Sequence, residues 1–110
     1  MINKNISGWI LIDKPIGVTS NYVLQKIKKI FKNKKAGYVG TLDPLASGFL
    51  PVAIGKATKV ISYIENVNKK YVFVVQWGIK TETGDSEGKI IQTKQKYPNE
   101  KEIKDTLKYF

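Results

Sequence analysis

Between residues 36 and 48 the chain carries neither the 3.6-residue period of a helix nor the alternation of a strand. The segment reads Ala36-Gly37-Tyr38-Val39-Gly40-Thr41-Leu42-Asp43-Pro44-Leu45-Ala46-Ser47-Gly48, with three glycines and one proline. A loop of this length inside a small domain is usually functional. It also dictates the arrangement of its neighbours, because regular elements must stand on both sides to hold it. Upstream, Gly8-Trp9-Ile10-Leu11-Ile12 is an apolar run ended by Asp13-Lys14-Pro15-Ile16-Gly17, which reads as a buried strand entering a turn. Thr19 or Ser20 can cap the helix that follows. Val23, Ile27, Ile30 and Phe31 share one face of it, and Lys26, Lys28, Lys29 and Lys32 crowd the others. The helix ends in Asn33-Lys34-Lys35.

Downstream, Phe49-Leu50-Pro51-Val52-Ala53-Ile54 reads as the next strand, with Pro51 pushing it toward a sheet edge or its own start. Ala57, Val60, Ile61 and Ile64 suit a short amphipathic helix. Tyr71, Phe73, Val75, Trp77 and Ile79 alternate with Val72, Val74 and Gln76, the clearest strand pattern in the sequence. The loop from Thr81 to Gly88 turns it into a second strand, Lys89 to Thr93, so an antiparallel pair is expected. Pro98-Asn99-Glu100 opens a last helix with Ile103, Leu107 and Phe110 as its stripe. The fold class is therefore α+β, in one domain at most at 110 residues, and the pattern reads as unfinished.

The residue inventory narrows the chemistry. With no cysteine there is no disulfide and no thiolate catalysis, and with no histidine the usual general base is missing. Two of the commonest metal ligands are absent with them. Catalysis must come from carboxylates, lysines, tyrosines or hydroxyls. No apolar run is long enough to span a bilayer, and the first residues are too short and polar for a signal peptide, so the expectation is a cytoplasmic protein.

The net charge is +10 and unevenly spread. Residues 1–36 hold eight lysines against Asp13 alone, and residues 69–110 hold nine against six acids. Residues 37–68 are balanced, with Lys56 and Lys59 against Asp43 and Glu65. Two basic flanks around a neutral centre suit a polyanion lying across an uncharged site. All nineteen cations are lysine, however, so a compositional bias accounts for the charge equally well.

Within the central loop, Pro44 holds Asp43 out of helical conformation, and the glycines let backbone and ligand approach closely. Two readings stand from the residues alone: a carboxylate displayed for chemistry, or an Asp-Pro turn cap. From the pattern alone, Tyr71 reads as a core aromatic on a strand face.

Four stretches, in order, resemble the TruB family of tRNA pseudouridine-55 synthases. Asp13-Lys14-Pro15-Ile16-Gly17-Val18-Thr19-Ser20-Asn21 is similar to the family's D-K-P-x-G-x-T-S-N, and Gly40 to Gly48 is similar to its G-T-L-D-P-x-A-[ST]-G signature. Gly55-Lys56-Ala57-Thr58-Lys59 resembles G-x-A-T-K. Lys69-Lys70-Tyr71 and Thr81 to Gly88 resemble its K-x-Y strand and T-x-T-x-D-x-x-G turn. The resemblance implies an isomerase that converts a uridine in the T-loop of tRNA to pseudouridine without metal or cofactor. It implies Asp43 as the nucleophile, attacking C6 of the base or C1′ of the sugar, and a pocket for a flipped-out base. Tyr71 matches the tyrosine that stacks on that base and is a candidate for assisting the final deprotonation. The implied fold is a mixed, mainly antiparallel sheet flanked by helices, of which residues 1–110 would be the first half. Lys14 and Pro15 match positions that support the active-site loop.

The sequence departs from the family pattern in two places. Tyr38 stands where the family usually has a histidine that contacts RNA, so retained RNA binding with altered contacts is expected. The family's arginine partner of the catalytic aspartate comes from a strand beyond residue 110, and this chain has no arginine. The downstream Q-x-P-P-x-[YF]-S-A stretch and a PUA-type RNA-binding domain are also missing. The expectation is the N-terminal portion of a catalytic domain, monomeric, acting on the T-arm stem-loop. An RNA-binding fragment that cannot complete the site and a guide-RNA-dependent relative are the alternatives. Asp85 either closes its turn or orients the neighbours of Asp43. The lysines from Lys26 to Lys35 read as phosphate contacts or as a solvated face.

Overall fold

The computed structural model describes residues 5–32, 35–64 and 68–110. These form two compact units, Met1–Lys69 and Lys70–Phe110. The first is built on a three-stranded antiparallel sheet of β1 (Gly8–Lys14), β2 (Ala36–Tyr38) and β3 (Gly48–Ile54), in the order β1-β3-β2. Along β3 the side chains alternate in direction, so Leu50, Val52 and Ile54 share one face, all but completely buried. Helix α1 (Ser20–Phe31) seats Leu24 and Ile27 against them, and Ile10 and Ile12 of β1 join from the same face. This is the core of the unit.

Helix α1 starts where the hydroxyl pair suggested, and Thr19 is the cap: its side chain accepts from the Tyr22 N–H at 3.0 Å. Its buried stripe is Ser20, Leu24 and Ile27, with Val23 and Phe31 flanking it, whereas Ile30 faces outward. The helix closes at Lys32, whose N–H still bonds the carbonyls of Lys28 and Lys29 and whose left-handed φ of 49° turns the chain out of the helix. The expected ending at Asn33 and Lys34 lies outside the described residues.

Two expectations about the sheet are corrected. The aperiodic segment does not begin at residue 36, because Ala36–Tyr38 pair with Val52–Ile54 as β2. Three residues are too few to show a period. Pro51 does not mark an edge strand, since β3 is central. Its ring is accommodated because β2 stops at Tyr38, and the Pro51 carbonyl faces that side, accepting from the Val39 N–H at 3.0 Å. The N–H that proline lacks would point past the end of β2, so the ladder with β1 is unbroken.

The segment Gly55–Tyr63 is a 3-10 helix rather than an α-helix. Thr58 turns its hydroxyl onto the Gly55 carbonyl at 2.8 Å, and the β-branched Thr58, Val60 and Ile61 favour α-helix weakly. Ile61 lies close over Gly37 on the second sheet face.

In the second unit, β4 (Ile79–Thr81) and β5 (Ile90–Thr93) form the expected antiparallel pair, with a register shift at Lys80/Thr81. The expected strand from Tyr71 is otherwise absent: residues 71–76 carry no strand pairing among the described residues, and Val72 and Val74 are about as exposed as side chains can be, at 90% and 97%. Alternation describes which side chains a strand would bury, but a strand forms only against a partner. Helix α2 (Glu100–Leu107) opens with a reciprocal cap, Asn99 and Glu102 each binding the other's backbone N–H at 2.9 Å. Of its expected stripe, Ile103 is half-buried while Leu107 and Phe110 face outward. The class is α+β, as expected.

Candidate active site

The loop that carries Asp43 is fastened to the stretch between β1 and α1. Lys14, at the end of β1, is fully buried, and its ammonium donates to the carbonyls of Pro15 at 2.9 Å and Val18 at 2.7 Å. Those bonds close the turn over residues 15–18. Gly17 takes a φ of +92° within it, a conformation side-chain-bearing residues avoid. The Gly17 N–H then reaches the Pro44 carbonyl at 2.7 Å.

Ser20, the first residue of α1, makes a second attachment. Its hydroxyl accepts from the Leu42 N–H at 3.0 Å and from the Thr41 hydroxyl at 3.3 Å, and donates to the Leu42 carbonyl at 3.2 Å. The loop also closes on itself: the Ala46 N–H bonds the Asp43 carbonyl at 2.9 Å, a turn with Pro44 in the position where its fixed φ fits best. Lys69 approaches from the other side, its ammonium against Gly40 and 3.5 Å from the Thr41 carbonyl. Gly40 has a φ of +62°, and a Cβ there would collide with that ammonium.

Asp43 thus has a held backbone and an exposed side chain. Among the described residues no group hydrogen-bonds or ion-pairs its carboxylate. With its lone pairs unengaged among the described residues, the carboxylate is open to a ligand. That disposition suits a nucleophile better than a turn cap, whose side chain would bond nearby backbone N–H groups.

The other residues singled out from sequence fall as follows. Tyr38, at the end of β2, is half-buried, with its ring against the core of Leu24, Ile27, Leu50, Val52 and Ile54. Tyr71 belongs to the second unit and is half-exposed, at 52%. Asp85 closes its own turn: it accepts from the Thr83 hydroxyl at 2.6 Å and the Glu87 N–H at 2.9 Å, and its carbonyl accepts from the Thr81 hydroxyl at 2.6 Å. The Thr83 hydroxyl, with help from the Glu87 N–H, holds the Asp85 carboxyl below the usual carboxylate range. Among the described residues no group of three or more acids gathers closely enough to hold a metal ion. None of the described helices is long and apolar enough to cross a membrane.

Two contributors escaped the sequence reading. Ser20 reads there only as an alternative cap and as part of a motif, and Lys69 only as part of a motif. The signal for Ser20 was the Thr-Ser pair itself: a helix needs one cap, so the second hydroxyl is available for something else.

Residues 28–110 match the model of the TruB family pseudouridylate synthase, N-terminal domain. The chain belongs to the TruB family. Similar relatives include tRNA pseudouridine synthase B of Wigglesworthia glossinidia brevipalpis, 60% identical over 80% of this chain and 27% of that protein. The same enzyme of Ehrlichia ruminantium is 50% identical over 94% of this chain and 35% of its own length. The chain thus spans about a third of the curated relatives it matches. Among solved structures, an H/ACA RNP bound to a substrate RNA containing 2'-deoxyuridine is similar at a TM-score of 0.51. It is 49% identical and covers 56% of this chain and 19% of that one. An archaeal box H/ACA sRNP Nop10-Cbf5 complex is similar at a TM-score of 0.50, with 46% identity and the same coverage. The Asp43 loop lies inside the matched TruB region, whereas the stretch from Lys14 to Ser20 that holds it precedes that region.

Proposed function

We propose that the protein isomerises a uridine in the T-loop of tRNA to pseudouridine, with Asp43 as the nucleophile. The observation that carries this reading is the Asp43 loop: a solvent-facing carboxylate whose neighbours Leu42 and Pro44 are both tied to the scaffold. Membership of the TruB family and identity of up to 60% to proteins named tRNA pseudouridine synthase B support the substrate class.

The chemistry asks little of the residue types missing here. A carboxylate oxygen of Asp43 attacks C6 of the base or C1′ of the sugar, and the C1′–N1 bond breaks. The base turns, C1′ bonds to C5, the bond from C6 or C1′ to Asp43 breaks to return the carboxylate, and the proton on C5 leaves while N1 gains one. Substrate and product are isomers, so no oxidant, metal or cofactor enters the balance. Tyr71 is assigned to the face of the flipped base and to the final deprotonation, and Tyr38 to an RNA contact. Residues 1–110 act as the N-terminal portion of a catalytic domain in a cytoplasmic monomer. By resemblance to the family, an arginine from a strand beyond residue 110 would pair with Asp43, and residues 1–110 contain none.

That lack of arginine supports a second reading for residues 1–110 taken alone, namely RNA binding without turnover. The guide-dependent alternative rests on similarity to the H/ACA structures, at 46–49% identity over 56% of the chain.

The test follows from the lost C5 proton. A T-arm stem-loop carrying tritium at C5 of its uridines is incubated with the full-length polypeptide that contains this sequence. Release of about one equivalent of label into water per stem-loop is expected, and none when the target uridine is replaced by cytidine. No release from the native stem-loop would overturn the proposal.

A further inference from the structure

We infer that Ser20 is a positioning residue, whose buried hydroxyl fixes the Leu42 peptide group and thereby aims the Asp43 carboxylate. The inference rests on the reading of Asp43 as nucleophile and extends it.

A serine hydroxyl has one hydrogen to donate and two lone pairs to accept with. All three are engaged by the loop: one accepts from the Leu42 N–H, one from the Thr41 hydroxyl, and the hydrogen goes to the Leu42 carbonyl. Ser20 is 2% exposed, so water has little access to replace those bonds. Helix α1 does not need this hydroxyl, because Thr19 already caps it. The helix in turn is seated in the core through Leu24 and Ile27, which makes Ser20 a rigid post rather than a passing contact.

The location sharpens the point. The residue before Asp43 is held by Ser20, and the residue after it by the Gly17 N–H. Both posts belong to one stretch of four residues, 17–20. Losing the Ser20 hydroxyl frees one of the two ends that define where the carboxylate points, while leaving the core and the Gly17 contact in place. A reacting atom displaced by about 1 Å can lose about 100-fold in rate.

The experiment compares four variants of the full-length polypeptide on T-arm stem-loop RNA, reading kcat and KM separately. Ser20→Ala is expected to lower kcat by about 10- to 100-fold with KM within about twofold, the mark of an interaction that acts on reaching the transition state. Ser20→Thr, which keeps a hydroxyl, is expected to recover most of that rate. Thr19→Ala removes the cap of the same helix without touching Leu42, and is expected to keep kcat wherever it remains folded. Wild-type kcat in Ser20→Ala would overturn the inference, as would equal losses in Ser20→Ala and Thr19→Ala, or a Ser20→Thr rate no better than that of Ser20→Ala. Asp43→Asn separates this inference from the reading beneath it. If that variant is inactive while Ser20→Ala is unaffected, only the positioning role falls; if it turns over normally, the nucleophile falls first. Should Ser20→Ala fail to fold, Ser20→Cys keeps the shape with a much weaker donor and carries the same expectation.

Discussion

Replacing Lys14 by methionine removes the ammonium that closes the turn over residues 15–18 while filling nearly the same volume. The structure permits an estimate. Two hydrogen bonds from a charged donor are lost, at 2.9 and 2.7 Å, each worth about 1.5–3 kcal/mol. Two carbonyls lose their donor inside a turn whose lysine is fully buried. Against this, the variant no longer has to keep an ammonium out of water, a relief of several kcal/mol before its hydrogen bonds are counted. The loss of the bonds is expected to prevail by about 2 kcal/mol, because the carbonyls remain where the backbone puts them. Urea unfolding of the first unit, followed by Trp9 fluorescence in a Trp77→Phe background, reads this directly. With a slope of about 1–2 kcal/mol per molar, the midpoint should fall by about 1–2 M at constant slope. An unchanged or higher midpoint would refute the reasoning, and would mean that burying the ammonium costs as much as its bonds return.

Two further outcomes follow from the second unit. Because the Thr83 hydroxyl and the Glu87 N–H hold the Asp85 carboxyl below its usual range, the turn draws stability from the ionised form. That stability is complete above the ordinary carboxylate value and is lost as pH falls through the lower folded value; an NMR titration of the Asp85 carboxyl should give a midpoint below that of a model peptide, and Glu87 amide protection should fade over the same range. Asn99→Ala breaks the reciprocal cap of α2 and should destabilise that helix by about 1 kcal/mol, read as faster exchange of the Glu102 amide with the rest of the chain unaffected.

What could be read in the sequence was whatever neighbouring residues decide among themselves. The Gly8 strand and its turn, the Thr19 cap, the hairpin over residues 81–88 and the Asn99 start of α2 each depend on chemistry within a few positions. What could not be read depends on partners distant in the chain. Pro51 signals an edge by its missing N–H, yet it sits in the central strand because β2 happens to end at Tyr38. Residues 71–76 have the alternation of a strand without a pairing partner among the described residues. Ile30 and Leu24 are both apolar at plausible positions, and only the placement of β3 decides that Leu24 is buried.

The candidate site divides the same way. The loop that displays Asp43 was legible because proline and glycine shape it locally. Its supports were not, since Ser20 bonds to Leu42 across twenty-two positions and the Gly17 N–H reaches Pro44. A second hydroxyl beside a helix cap is a weak hint until the fold brings its partner to it.

The central claim is that Asp43 supplies the attacking oxygen. Asparagine keeps the size and the loop's backbone bonds but removes the nucleophilic charge. The most direct measurement is tritium release from a C5-labelled T-arm stem-loop by the full-length Asp43→Asn variant, alongside RNA binding by the same protein. The account predicts that release disappears while binding stays within about twofold of the parent, the pattern of an interaction used only in reaching the transition state. Release at a substantial fraction of the parent rate would contradict it.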